Sequence, residues 1–450
     1  MAWTKAKTAV VAGTVLILAA GASVVVIKGS HSTKAIQSPP IGLPQTLAEL
    51  DAWYVEPPAG QNAATFNLRG IKAMQISGAD QIANLPVLGK LPTPLPGTPL
   101  PAPVKSALAA FMQRNREALQ FFAQGEQYEQ SRYPIDLTKG SDTLLPHLMG
   151  IKRGMQLSEM AAILDAENND EKQAADDVLM TLALARSLKA EPFLISQLVR
   201  VAGVSLAVDA LNQVVNRTTL PPESLSELSQ AFRAVEDCDA RGEGFNRSLI
   251  GEKVMVMAAF TKASIQELAA LAAQDTTEEQ RRQMVQLLKQ PGGLKVEQDY
   301  LETTFQQLLA ARKEAFPERL KNAAVVQQRA TETTNGALLL NNSWLTGYAG
   351  IISREARCLA NVRLALAAVT LEQFRAAHVN RYPAGLSELS PNYLNTTLMD
   401  PFDGQPLRYR KQNDGYVLYS IGPDLKNNGG NQMNGKGRDL VFTVFTPPPP

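Results

Sequence analysis

The chain is predicted to be mainly α-helical, with a small α+β region at its C-terminal end. Three observations carry that prediction. Apolar residues recur at three- and four-residue steps across the middle of the chain, prolines and short polar turns punctuate them, and alternating strand-like runs are confined to the last tenth. The expected architecture is an N-terminal membrane anchor, a helical bundle or stack of helical hairpins, then a long helix with an antiparallel three-stranded sheet.

Composition sets the frame. At 450 residues, with 45% hydrophobic and 19% charged residues, the chain is long enough for two or three globular cores. Lys+Arg 44 against Asp+Glu 43 leaves no global field to gather nucleic acid, so none is expected as a partner.

The first element is Thr8 to Ile27, an uncharged and mostly apolar run preceded by Lys5 and Lys7. Twenty helical residues match a hydrocarbon core of about 30 Å. With the polar bulk following, residues 1–7 are expected in the cytoplasm and the body beyond the inner membrane, in a single-pass arrangement. The alternative is a signal peptide cleaved near Ala22, at the A-x-A step Ala20-Gly21-Ala22, which would release a secreted or periplasmic protein. The apolar "VVVI" beyond that step favours the anchor.

Residues 28–104 form the connector. Trp53 and Tyr54, before Pro57-Pro58, predict a short docking helix, a turn and a second helix. Pro86, Pro92, Pro94, Pro96, Pro99, Pro101 and Pro103 then forbid regular helix and favour an extended segment that wraps on a neighbour. A proline-rich ligand for an aromatic groove is the other reading.

Residues 105–349 are the helical domain. Ala174, Val178, Leu182, Ala185 and Leu188 make one apolar stripe from Asp170 to about Lys189. The preceding helix is expected to begin near Ser158, with "AENND" as a tight turn and hence an antiparallel neighbour. Pro192 and the Pro221-Pro222-Glu223 run sit where helix first turns tolerate proline and favour acid.

Within this domain, Asp165, Glu167, Asp170, Glu171, Asp176 and Asp177 read as a solvated acidic face rather than an acid/base pair. Arg186 and Arg200 lie in otherwise apolar helices and need carboxylate partners or solvent. His147 reads as a satisfied residue at a helix boundary, and His378 as the end of the last helix. Cys238 and Cys358 match no metal spacing; a single disulfide and two buried thiols are evenly matched readings. "GNQMNGKG" at Gly430–Gly437 misses the hydroxyl and helix of a phosphate loop. No catalytic residue stands out.

Residues 350–446 change character. A helix through "SREARCLANVRLALAAVTLEQFRAAHVN" leads to Tyr382-Pro383 and to the candidate strands "PLRYR", "YVLYSIG" and "DLVFTV", with Asn413-Asp414-Gly415 as a hairpin turn. Pro447–Pro450 is expected to be a disordered tail. The run "HVNRYPAGLSEL", "MDPFDGQPLRYR", "GYVLYSIGPDLKNNGG" and "GRDLVFTV" resembles the globular part of the type II secretion major pseudopilin, over Ser353 to Val444. In that family a long helix leads to an "NGRYP" turn, then "DPWGNPYQYR", then a strand ending "YSLGADG" and a Gly-rich acidic loop.

The resemblance implies a pseudopilin-like α+β fold, with calcium in the loop carrying Asp424, Asn427, Asn428, Asn431 and Asp439. Only two of those five are carboxylates, and Lys426, Lys436 and Arg438 oppose a dication. The chain departs from the family in placing its apolar segment at the far end, with no glutamate near its start, so polymerisation is not expected. The central "PIDLTKGSDTLLPHL" and "ARSLKAEPFLISQLVRVA" are similar to large bacterial envelope proteins carrying the same C-terminal cassette.

Function is expected to be non-enzymatic: a membrane-anchored extracytoplasmic scaffold or interaction module contacting other envelope proteins, associated with secretion or pilus-like machinery. The alternative is an exported hydrolase or carbohydrate-binding protein. It requires a deep polar pocket in the helical domain with converging carboxylates or a His–carboxylate pair.

Overall fold

The computed structural model describes residues 42–82, 85–272, 278–332, 348–412, 415–431 and 439–445. The anchor at Thr8 to Ile27, the Asn413-Asp414 pair, most of Gly430–Gly437 and the Pro447–Pro450 tail lie outside the described residues. What is described is mostly helix, with a small antiparallel three-stranded sheet near the C-terminal end.

Helix α1 (Leu47–Trp53) starts where the Thr46 side chain accepts from Glu49 N, and α2 (Ala63–Ala73) where Asn62 accepts from Ala64 N. Both caps satisfy first-turn amides that a helix cannot satisfy itself. The docking expected of Trp53 and Tyr54 is present. Tyr54 is fully buried, and the Arg247 guanidinium stacks 3.8 Å from the centre of the Trp53 ring. A short α3 (Gly78–Ile82) follows.

The proline-rich segment forms a strap. Val87 O accepts from Gln156 Nε2 at 3.3 Å and Pro94 O from Gln213 Nε2 at 2.7 Å. Further along, Thr98 O accepts from Arg217 Nη2, and Leu100 N donates to Glu167 Oε1. Prolines keep the strap extended, and side chains of the helices beneath hold it by its carbonyls.

Two helices, α4 (Ala102–Arg114) and α5 (Arg116–Glu126), lead into the central three: α6 (His147–Glu167), α7 (Glu171–Arg186) and α8 (Leu194–Val215). The stripe Ala174, Val178, Leu182, Ala185 and Leu188 is buried as expected. The start of α6 is not where the spacing placed it. It begins at His147, eleven residues before Ser158, and Leu148, Ile151 and Met155 continue its buried face. Gly154 in this early part of α6 admits the Phe122 ring, which would lie 3.0 Å from a Cβ there.

Helix α8 is long and apolar enough to cross a membrane. In this fold its faces meet α6, α7 and α10, and it carries a buried ion pair, as the core helix of a folded body does.

Helix α9 (Pro222–Arg241) begins on the predicted proline and reverses into α10 (Glu243–Lys262) through Gly242, at φ +67°. Helices α11 (Ile265–Ala272), α12 (Glu278–Lys289), α13 (Gly293–Ala311) and α14 (Glu318–Glu332) build a second core on α10 around Phe245, Phe260, Leu301 and Phe305.

Helix α15 (Tyr348–Ala377) returns along α8 and α9 and carries the sheet. Strands β1 (Arg408–Lys411), β2 (Tyr416–Ser420) and β3 (Leu440–Val444) pair antiparallel in the order β1-β2-β3, with Leu418 opposite both Tyr409 and Phe442. Tyr416, Leu418, Phe442 and Val444 point inward and join the same core as Leu50, Leu157 and Leu228. The hydrophobic core therefore runs unbroken across the 349/350 boundary.

Candidate functional site

The helical body does contain a His–carboxylate pair. His147 at the start of α6 brings Nε2 within 2.6 Å of Glu191 Oε1, as a close approach rather than an aligned hydrogen bond. Tyr133 stacks on the imidazole with ring centres 4.0 Å apart, Tyr54 Oη donates to Glu191 Oε1 at 3.5 Å, and Ser196 Oγ donates to Glu191 Oε2. The pair is sealed: His147 is 3% exposed and Glu191 0%. Burial raises both tyrosines well above their ordinary range, so each stays a neutral donor. His147 is thus a packed boundary residue locking α1 onto α6 and α8.

The acidic cluster divides. Asp170 caps α7, Asp176 pairs with exposed Lys172, and Glu167 holds Arg217 at 3.2 Å. Asp177, by contrast, is 2% exposed and faces Asp165 across the α6–α7 hairpin. Burial first, and the neighbouring carboxyl second, push Asp177 well above the usual carboxylate range. Asp177 Oδ2 has no donor unless one of the two carboxyls keeps its proton, which is how such pairs share a hydrogen bond. The solvated-face reading fails here for a periodic reason: Asp177 lies on the arc of Ala174, Val178 and Thr181, all buried. Helical spacing carried that signal.

A further buried carboxylate was not singled out from sequence. Glu159 on α6 is 2% exposed and its Oε2 has no hydrogen-bond partner, whereas Asp209 on α8 is exposed. Burial first, and the Asp209 charge second, raise Glu159 well above its ordinary value.

Other buried charges close on partners. Arg200 Nη2 lies 2.6 Å from Asp239 Oδ1, and Cys358 Sγ donates to Asp239 Oδ2 at 3.3 Å. Both cysteines are free, buried thiols, and burial pushes Cys238 to about 11. Arg312 grips Glu355 with two bonds of 2.8 Å, and Arg319 adds a third at 3.0 Å. A Cβ on Gly242 would come within 2.8 Å of both Arg312 and Glu355, so this turn needs glycine for space as well as for its positive φ. Arg186 bonds Glu126 O and reaches Glu129.

In the C-terminal region, Asp400 is the organising carboxylate. It accepts from Phe402 N, Ser420 Oγ, Ile421 N and Arg408 Nη1. Gly404, at φ +71°, lets its own N–H return to Asp400 O at 2.8 Å, the turn expected to feed β1. Tyr382 donates to buried Glu372 at 2.8 Å, and His378 Nδ1 meets Phe374 O at the end of α15.

Of the expected calcium ligands, Asp439 and Asn428 come together. Asp439 accepts from Asn428 N, Asn428 Nδ2 and Gly430 N, while Asn427 caps Gly429 N and Asp424 caps Lys426 N. Asn431 lies next to this turn, its N–H on Asn428 O. The loop is folded around Asp439 by amides, and a dication there must displace them. Among the described residues, no three His, Cys, Asp or Glu side chains converge as metal ligands.

Two enclosed cavities are water-sized, about 10 Å³ beside Leu194 and Phe245 and about 30 Å³ beside Glu372 and Arg375. A broader depression on α12, edged by Glu278, Arg281 and Arg282, is open and shallow. No family model, curated protein or solved structure matches this chain.

Proposed function

We propose that this protein is a membrane-anchored envelope scaffold. The segment Thr8 to Ile27 holds it in the inner membrane, its body lies in the periplasm, and its pseudopilin-like C-terminal cassette contacts other envelope proteins, including secretion or pilus-like machinery. The observation that carries this reading is how the cassette is mounted. Asn216, at the end of α8, clasps β3 by donating to Thr443 O and accepting from Phe445 N, each at 2.9 Å. The far edge of the sheet, β1, has no strand beside it among the described residues, and Arg410 and Lys411 are exposed there. A rigidly mounted sheet with one open edge suits strand addition by a partner.

An exported hydrolase or carbohydrate-binding role has less support, because the His147–Glu191 pair is closed to any substrate. Carbonate extraction with protease shaving of intact cells and spheroplasts tests the placement. The body is expected in the membrane pellet and cleaved only in spheroplasts; recovery in the cytosol overturns the reading. Lys411→Pro, which removes an outward-facing edge amide, is expected to abolish co-purification of an envelope partner captured by a photo-cross-linker placed at Arg410. Undiminished capture overturns the edge assignment.

A further inference from the structure

The outer edge of β1 is open over a short, well-defined stretch. Gln412 N donates to Gly415 O at 2.8 Å across the hairpin, so the even-numbered amides of β1 face β2 and those of Tyr409 and Lys411 face away from it. Upstream, the same edge is already taken. Leu407 N donates to Leu398 O at 2.9 Å and Asp400 N to Gln405 O at 2.7 Å, so the stub at 398–400 runs antiparallel beside the chain as it enters β1. Among the described residues nothing continues that pairing past Leu407. Tyr409 and Lys411 therefore offer the next rungs of a ladder that the stub has begun.

The charge on this edge is one-sided. Arg408 is neutralised by Asp400 and Asp403, but Arg410 and Lys411 are exposed and have no ion pair among the described residues. Arg410 Nη1 reaches Gly429 O at 3.2 Å and Lys411 Nζ reaches Tyr382 O at 2.8 Å, contacts that fix each side chain and leave it further N–H groups. Strand alternation puts the two cations on opposite faces of the sheet. A second copy pairing edge to edge would set these cations against their own kind, and like charges opposed across a ladder are destabilising. An acidic strand meets both with the opposite charge.

We propose that β1 accepts an extended segment of a partner protein carrying two consecutive acidic residues, opposite Arg410 and Lys411, followed by an aromatic or β-branched residue opposite Tyr409. Main-chain bonds to Tyr409 and Lys411 hold the segment, and the acidic pair selects it. The proposal rests on the scaffold reading above and names the chemistry of what the scaffold holds.

The probe is a fluorescein-labelled peptide, Thr-Val-Glu-Glu-Val-Thr, with Thr-Val-Lys-Lys-Val-Thr as its counterpart. Binding to the full chain in detergent is read by fluorescence anisotropy at low ionic strength. The acidic peptide is expected to bind about tenfold more tightly than the basic one, since two cross-strand pairs change from attraction to repulsion. Arg410→Glu alters an exposed side chain and is expected to bring the two peptides level; adding Lys411→Glu should reverse the preference. N-methyl groups on alternate residues of the acidic peptide test the strand itself. In one phase they block the amides turned toward β1 and should abolish binding, while in the other they face solvent and leave it in place. No binding of the acidic peptide, equal binding of the two peptides to the wild type, or the same effect from both methylation phases overturns the proposal. So does sedimentation of the protein as a dimer that Lys411→Pro dissociates, because the edge would then belong to a second copy. Recovery of the body in the cytosol would overturn the envelope placement and leave this binding measurable, so the two readings fail separately.

Discussion

Asp400 in the C-terminal cassette and Asp177 in the helical body are both almost completely removed from water, yet their surroundings are opposite. Asp400 sits among loop backbone and collects two amides, a hydroxyl and a guanidinium. Asp177 sits inside a helix, where the neighbouring amides are spent on the helix's own carbonyls, and what remains is the Gln173 side chain and another carboxyl. A buried carboxylate is supplied with donors where irregular backbone offers N–H groups. In the interior of a helical bundle it is raised toward its protonated form, as Asp177 is, or takes an arginine, as Asp239 and Glu355 do.

The largest test of that contrast is Asp400→Ala. It leaves Arg408 with Asp403 alone and strands three further donors, and is expected to lower stability by about 3 kcal/mol in guanidinium denaturation. A loss below about 1 kcal/mol would mean that the cassette does not depend on this centre.

Next, Arg200→Met leaves Asp239 buried beside the Cys358 thiol and is expected to cost about 3 kcal/mol. Adding Asp239→Leu should recover most of it, since an apolar pair of similar volume fits a helical interior. Failure of the double variant to recover would show that the pair does more than neutralise itself.

Glu252 lies between the two extremes. It is half-buried in α10 and accepts one amide, Leu194 N, at the start of α8. Burial raises it to about 7. A carboxyl raised in the folded state contributes stability below its unfolded value near 4.5, and that contribution is lost as pH rises through about 7. Partial exposure screens part of the effect, so unfolding measured from pH 5 to pH 8 should fall by about 2 kcal/mol through this group. Glu252→Gln should flatten that slope; an unchanged slope refutes the assignment.

The smallest effect is expected at Asp170, whose carboxylate receives Gln173 N at the first turn of α7. Asp170→Ala should cost about 1 kcal/mol in thermal unfolding. A cost near zero would mean that water replaces this cap.

Much of the fold is legible in the residues. The docking of Tyr54, the proline opening of α9, the Asp403-Gly404 turn and the three short strands all follow from local rules about caps, turns and periodicity, whereas Pro192 lies two residues before α8 and outside its first turn. The start of α6 is obscured by Gly150 and Gly154, which make room for Ile71 and Phe122. The carboxyl site was only half legible. The inward turn of Asp177 follows from its place in the stripe, whereas the burial of Glu159 depends on α6 and α8 being neighbours.

Composition, periodicity and punctuation by themselves determined that this chain is a helical body ending in a small antiparallel sheet, because those signals act over a few residues. Tertiary structure alone decided that the sheet shares the body's core, that the proline segment is tied to α6 and α8, and that His147 is sealed while Glu159 is buried without a partner for its Oε2. Each of these depends on which helices pack together, and whether a charge finds a partner is settled by its neighbours in space.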